Sequence, residues 1–515
     1  MGANWLNLGE MLRVNAKKFP AKMCLADSAR RHTFAETNAR VNRLANAMTA
    51  LGLVRGDRVA CFLENSIEIC ELYMAAAKTG IIVVPMNFRI DPKTAAYVTD
   101  NSDAKMLVVH DEWVPMFDEL AADTPKVAHR VVVGKECIGW TNYDAFIQEA
   151  SDDEPDIRVL PEDIWIQLYT SGTTGVPKGV VRSHESYIAF YLINAADFKF
   201  DLQEVCLNVM PLCHVNSTFF TFAVTYMGGS VYIHPARSFR PLEILEVIQR
   251  ERITFISLIP THYNLILNAP EEESRKYDVS SIRKLLCSSA PVFKETKLAI
   301  MDFFKGVDLY EGYGSTEAGI VTTLMPWEQM TNLGSIGRES SGTDVIRILD
   351  EEGNPVPAGQ VGEIYSRGPM MFSEYYKMPE KTGSSFRGEY FSAGDMGRMD
   401  EEGYYYIVDR KDNMIITGGE HVYPSEVEAV ICSHRGVFDA AVIGLPHDKW
   451  GEQVTAVVIP KDGVELTPDD IVAHCADNLA AYKKPKDVKI ISQDDMPRTG
   501  TGKILHRILR ERYSD

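Results

Sequence analysis

Through roughly the first three hundred residues, short runs that are apolar at every position alternate with helical patterns, and this rhythm restricts the fold more than any other feature. IIVVPMNF, AKMLVVH, RVVVG, DIWIQLYTSG and TFISLIP read as strands, SIEICELYMAAAKTG as a helix ended by Gly80, and PLEILEVIQRERI as another helix. A strand with one face in water alternates polar and apolar residues, whereas one covered on both faces by helices does not. The chain is therefore expected to be an α/β protein of layered sheets and helices.

Beyond about residue 320 glycine turns become denser, as in LDEEGNPVPAGQVGEIYSRGP and DEEGYYYIVDR, with short strands between them. A β-rich subdomain over 321–408 is expected, closing a large N-terminal domain of 1–410. The α/β pattern restarts with YPSEVEAVICSH, DAAVIGLP, GEQVTAVVIP and TPDDIVAHCADNL. In the last of these Thr467 is an N-cap hydroxyl and Pro468 stands at the first helical position. A small, mobile α+β domain over 411–515 follows, and the acidic stretch EASDDEPDIRVLPED is the longest expected linker.

A chain of 515 residues exceeds what one ordinary core organises. Its formal charge of -19 argues against a nucleic-acid partner, since tracking a phosphate backbone needs a basic face. The lysines of YKKPKDVK read as a solvated turn, with a local basic patch as the alternative. Nine cysteines without a C-x-x-C pair favour a reduced, cytoplasmic setting. The opening MGANWLNLGEMLRVNAKKF reads as an amphipathic helix with no apolar signal segment, and no apolar run is long enough for stable membrane insertion.

Two glycine- and hydroxyl-rich loops carry a lysine. In YTSGTTGVPKGV, Gly172 and Gly175 permit close backbone approach, Thr170, Ser171, Thr173 and Thr174 supply donors, and Lys178 adds a positive charge. In PRTGTGKILHR the lysine is Lys503. Neither is a P-loop, because Lys178 is followed by glycine and Lys503 by isoleucine rather than by serine or threonine. On the residues alone, phosphate binding and a solvated surface turn both stay open.

EGYGSTEAG (311–319), YFSAGDMGRMDEEGYYYIVDRKDNMIITGGEHVYPSEVE (390–428) and PRTGTGK (497–503) follow the first loop in order. Together the four segments resemble the adenylate-forming superfamily of acyl-CoA synthetases, firefly luciferase and peptide-synthetase adenylation domains, over essentially the whole chain. The resemblance implies an ATP-dependent carboxylate–CoA ligase using ATP, Mg2+ and coenzyme A, with a small-molecule carboxylate as partner and a homodimer as a further partner expectation. The first loop would hold the phosphates of ATP. Thr316 would contact the α-phosphate, Glu317 would carry the magnesium ion, and Tyr313 would lie against adenine. Asp395 would receive the ribose hydroxyls, with Arg410 as a second nucleotide contact and Ser289, Ala290 and Pro291 lining the same site. His214 would stand near the acyl group. Asp412 matches the family's hinge, about which Lys503 would serve adenylation and then give way to Gly418 and Gly419, which would let the pantetheine arm of coenzyme A pass.

On acyl size, Gly314 takes the place of a tryptophan that closes the pocket in acetate-specific members, which implies a larger acid. Ser288 and Ser289, at positions usually smaller, would narrow the channel or bond a polar substrate. Within the superfamily VMPLCHVNSTFF and YYIVDRKDNMIITGGEHV look closest to crotonobetaine/carnitine-CoA ligases and to short- and medium-chain acyl-CoA ligases. A quaternary ammonium would want aromatic faces, and Phe219, Phe220 and Phe222 supply rings, although such a run more often builds core. The rival readings are loading of a separate carrier protein, luciferase-like oxidation, and a non-catalytic nucleotide-responsive protein.

Overall fold

The computed structural model describes residues 7–171 (only the backbone of Ser171), 176–235, 237–288, 292, 294–498 and 504–514. They form two compact units, Met1–Val345 with Ser366–Phe391, and Ile346–Tyr365 with Ser392–Asp515.

The first unit holds two large sheets. One runs in the order Glu374–Tyr375, Pro177–Ser183, Ile164–Ser171, Ile82–Pro85, Arg58–Phe62, Ala104–His110, His129–Val133, Thr141–Asn142. It is parallel from Ile164–Ser171 onward and antiparallel at its other end. The second runs Arg338–Glu339, Gly319–Leu324, Asp308–Ser315, Lys284–Ser288, Phe255–Leu258, Val205–Asn208, Ser230–Ile233, Met23–Ala26, Arg31–Thr33. Its middle is parallel and both margins are antiparallel.

Strand periodicity explains how these sheets share three cores. Val59 and Cys61 join the central core while Ala60 and Phe62 join an outer one; Cys206 and Phe255 face the centre while Leu207 and Ile256 face the opposite outer layer. Between the sheets lie helices Phe34–Ala50, Ile67–Thr79, His184–Asp197 and Val215–Tyr226. Every residue of Ile67–Thr79 is buried, as a helix covered on all sides requires. Ser66 caps its start by accepting from the Ile69 N–H, and Gly80 ends it at φ 68°, as the sequence predicts. No helix among the described residues is long and apolar enough to cross a membrane.

The phenylalanine run belongs to this central layer. Phe219 stacks on Phe190 with centroids 3.7 Å apart, Phe222 packs on Tyr73 and Trp165, and Phe220 on Phe198 and Phe255. These rings build core.

Strands of the 321–408 region go to different sheets. Gly319–Leu324 and Arg338–Glu339 extend the nine-stranded sheet, Glu374–Tyr375 extends the eight-stranded one, and Arg347–Leu349, Gly362–Tyr365, Asp395–Met399 and Tyr405–Arg410 form a separate antiparallel sheet in the second unit. Strands this short take their partners from tertiary pairing, which composition does not report.

The second unit also contains a five-stranded sheet built on the long hairpin Val437–His447 and Gly451–Pro460. Helices Pro424–Cys432 and Pro468–Asn478 cover one face through Val427, Ile431, Ile471 and Cys475, and His506–Tyr513 covers the other through Leu509. Thr467 forms the expected cap, as one half of a reciprocal pair with Asp470. The fold is thus a large α/β portion with mixed sheets and a smaller C-terminal α+β portion.

Candidate active site

The glycine-rich loop joins two antiparallel strands. Thr170 pairs with Lys178 and Ser171 with Pro177, so the segments on either side of the loop are paired strands, whereas a P-loop runs from strand to helix. Gly172, Thr173, Thr174 and Gly175 lie outside the described residues, as do Ser289, Ala290, Pro291 and Lys503. Lys178 is buried near the start of the second strand, its ammonium 5.6 Å from the centroid of the Tyr375 ring.

Tyr375 connects this loop to the YGSTE motif. Its backbone pairs with Val180, and its hydroxyl donates to Glu317 Oε1 at 2.8 Å. The Glu317 carbonyl accepts from the Phe372 N–H at 2.6 Å. Arg182, on the same strand as Lys178, donates through Nη1 to the Thr316 carbonyl at 2.7 Å and through Nη2 to the Met370 carbonyl. The expected residues Lys178, Thr316 and Glu317 are therefore joined through Tyr375 and Arg182, which the sequence reading missed. Only a weak signal for Arg182 was present: a charge in the apolar run GVVRSH, two and four residues beyond Val180 and Lys178 on one strand face.

The motif turns between strands Asp308–Ser315 and Gly319–Leu324, with the Ser315 hydroxyl accepting from the Ala318 N–H at 3.0 Å. A Cβ at Gly314 would fall 1.9 Å from the Gly319 carbonyl oxygen. A side chain at 314 would make this hairpin backbone shift, so the glycine has a local reason beside any room it leaves for an acyl group.

His214 precedes helix Val215–Tyr226, and its carbonyl accepts from the Thr218 N–H. Two residues on, Asn216 donates to Ser288 Oγ at 2.7 Å and accepts from Ser257 at 3.0 Å. Ser288 pairs with Gly312, next to Tyr313. His214, Tyr313 and the YGSTE turn thus flank the carboxyl ends of parallel strands, where α/β sheets form ligand crevices.

Beneath the motif, Glu311 ion-pairs with the buried Lys297. Burial pushes the Glu311 carboxyl up to about 7, with the Lys297 charge opposing. A carboxyl raised on folding contributes stability that is full below its unfolded value, near 4.5, and is lost as pH rises through 7. Lys297→Met removes the opposing charge and raises the titration further. Its loss of thermal stability should be small near pH 6 and grow toward about pH 8.5, on the order of 1.4 kcal/mol per unit of further shift. Thermal unfolding at both values checks this, and an equal deficit at both would contradict it.

The second unit gathers another group. Asp395 and Arg410 are cross-strand partners, with Arg410 Nε 2.6 Å from Asp395 Oδ1 and Nη1 bonded to the Ala393 carbonyl. Asp412 lies in the turn Lys411–Asn413, and Arg510 of the last helix donates to the carbonyls of Asp412 and Asn413 at 3.0 and 2.9 Å. Gly418 and Gly419 have φ of 61° and 86° between the paired residues Thr417 and Glu420. Two consecutive positive φ values make the tight hairpin turn that glycine favours, a backbone reason for both.

The AMP-binding enzyme family matches residues 12–376, and the AMP-binding enzyme C-terminal domain matches 426–503. The chain belongs to the AMP-binding enzyme family. It is 35% identical to a long-chain-fatty-acid–CoA ligase of Mycobacterium tuberculosis over 513 residues, 99% of each chain. It is also 35% identical to a feruloyl-CoA synthase of Amycolatopsis over 484 residues, 93% of this chain and 94% of that one. The crystal structure of an anthranilate CoA ligase in complex with anthranoyl-AMP superposes with a TM-score of 0.90 at 27% identity, covering 99% of this chain and 97% of that one. This AMP-binding enzyme is an AMP-forming acid–thiol ligase whose substrates are ATP, a small-molecule carboxylate and coenzyme A.

The sequence resemblance implies a divalent cation. Among the described residues no group of three or more His, Cys, Asp or Glu side chains is placed to hold a metal ion. Mg2+ is commonly bound by one or two carboxylates plus substrate phosphates. Glu317, fixed through one oxygen by Tyr375, fits a cation that arrives with ATP.

Proposed function

We propose that this enzyme activates an acyl or aryl carboxylate larger than acetate, and that Thr316, Glu317, Lys178 and Lys503 act on ATP in the first half-reaction. The observation carrying the reading is the Tyr375 bridge, which seats the Glu317 carboxylate beside the strand bearing Lys178. A carboxylate oxygen attacks the α-phosphorus of ATP, the C–O–P bond forms, and pyrophosphate leaves with the electrons of the broken P–O bond. A free carboxylate would have to expel a strongly basic oxide, whereas the adenylate expels AMP. The thiol of coenzyme A then attacks the acyl carbon, losing its proton, and AMP departs with the electrons of the C–O bond. Mg2+ on Glu317 would neutralise phosphate charge as it develops.

Asp395 and Arg410 are assigned to the ribose side of the nucleotide, where a carboxylate suits two adjacent hydroxyl donors. The boundary at 410/411 and the hinge at Asp412 remain the proposed functional division, with Lys503 engaged in the first half-reaction and Gly418 and Gly419 in the second. A cytoplasmic setting accords with nine free cysteines.

For the acid itself, relatives named for long-chain fatty acids and for ferulate support a substantial acyl group. Short- and medium-chain acids stay within the proposal. The carnitine- or crotonobetaine-like reading loses the rings it would use, since Phe219, Phe220 and Phe222 are packed among other aromatic side chains. Rates of pyrophosphate release across acetate, branched, medium- and long-chain, aromatic and betaine-bearing acids test the class. Larger acyl or aryl acids should exceed acetate by at least about tenfold in kcat/KM, on the scale a few methylenes provide; a preference for acetate would overturn it.

A further inference from the structure

Arg182 is the most unusual charge in the first unit. Its side chain is wholly buried, and no carboxylate forms an ion pair with it among the described residues. The guanidinium lies 4.9 Å from the ring centroids of both Tyr187 and Phe219, and its Nε has no hydrogen-bond partner among the described residues. Burial pushes Arg182 below the usual guanidinium range, with Tyr187 and Glu317 pulling the other way. A buried charge without a counter-ion costs several kcal/mol, and an apolar side chain of similar volume commonly serves packing as well or better. Val180 and Val181, its neighbours on the strand, are such residues.

What the charge achieves is a grip on two carbonyls. One belongs to Thr316 and the other to Met370, two residues before Phe372, whose N–H holds the Glu317 carbonyl. Because the peptide unit is planar, fixing the Thr316 carbonyl also fixes the direction of the Glu317 N–H and the position of its Cα. The Tyr375 hydroxyl then settles the carboxylate. Glu317 is thus restrained at the carbonyl before it, at its own carbonyl and at its carboxylate.

We propose that Arg182 is a positioning residue that sets Thr316 and Glu317 in the geometry adenylation requires. The inference rests on the roles given to those two residues above. A misplacement of about 1 Å at reacting groups costs on the order of a hundredfold in rate.

Arg182→Met, Arg182→Lys and Glu317→Gln, each read in both half-reactions, test it. Arg182→Met should lower kcat for acid-dependent pyrophosphate release by about ten- to a hundredfold. Thioester formation from a supplied acyl adenylate should stay within about threefold of the parent, and the thermal midpoint should move little, since removing the buried charge offsets the two carbonyls left without their donor. Arg182→Lys, which keeps the charge with a shorter reach and no fork, should recover part of the loss. A parallel fall of both half-reactions, or a loss that tracks thermal stability, would assign Arg182 to the scaffold alone and overturn the proposal. If Arg182→Met does not accumulate as folded protein, the same split is read on Arg182→Lys. Glu317→Gln separates the two levels. If it leaves adenylation intact, the underlying roles are wrong and the inference falls with them; if it impairs adenylation while Arg182→Met does not, only the inference falls.

Discussion

Lys503→Ala lowers carboxylate-dependent pyrophosphate release by about a hundred- to a thousandfold, the range for removing one charged donor from a reacting centre. Conversion of a supplied acyl adenylate to acyl-CoA stays near the parent rate, because the proposed role of Lys503 ends once pyrophosphate has left. Equal loss in both steps would refute a lysine engaged in one half-reaction. Helix His506–Tyr513 begins three residues after position 503 and buries Leu509 against the sheet. The same helix sends Arg510 to the carbonyls of Asp412 and Asn413.

Glu317→Gln is expected to reduce pyrophosphate release by about a hundredfold and to raise the Mg2+ concentration needed for half-maximal rate. The amide keeps an oxygen for the Tyr375 hydroxyl, so the side chain stays in place and the charge alone is removed. Titration of initial rates against Mg2+ at fixed ATP reads the effect. An unchanged rate with an unchanged Mg2+ requirement would contradict the assignment of the cation to Glu317.

The layered fold was legible because burial on both sheet faces leaves a direct mark, apolar residues at every strand position, as in Ile82–Pro85. Local punctuation was equally readable at Gly80 and Thr467, whose roles depend on neighbours in sequence. What the sequence left hidden depends on partners far along the chain. The tether on Thr316 comes from Arg182, 134 residues earlier, and the bond to the Glu317 carboxylate from Tyr375, 58 residues later. Glycine was legible as a position of freedom but not as to purpose. Gly314, proposed as room for an acyl group, and Gly418–Gly419, proposed as a passage, also have local reasons in a close carbonyl and a two-residue turn. The phenylalanine run shows the converse, since its rings are spent on the core between the sheets.

The fate of the acyl group is the most direct measure of the chemistry. With an accepted acid, ATP, Mg2+ and free coenzyme A, the products AMP, pyrophosphate and acyl-CoA should appear in equal amounts in a single reaction. Formation of AMP and pyrophosphate without thioester, or transfer of the acyl group to a carrier protein while free coenzyme A is ignored, would contradict it.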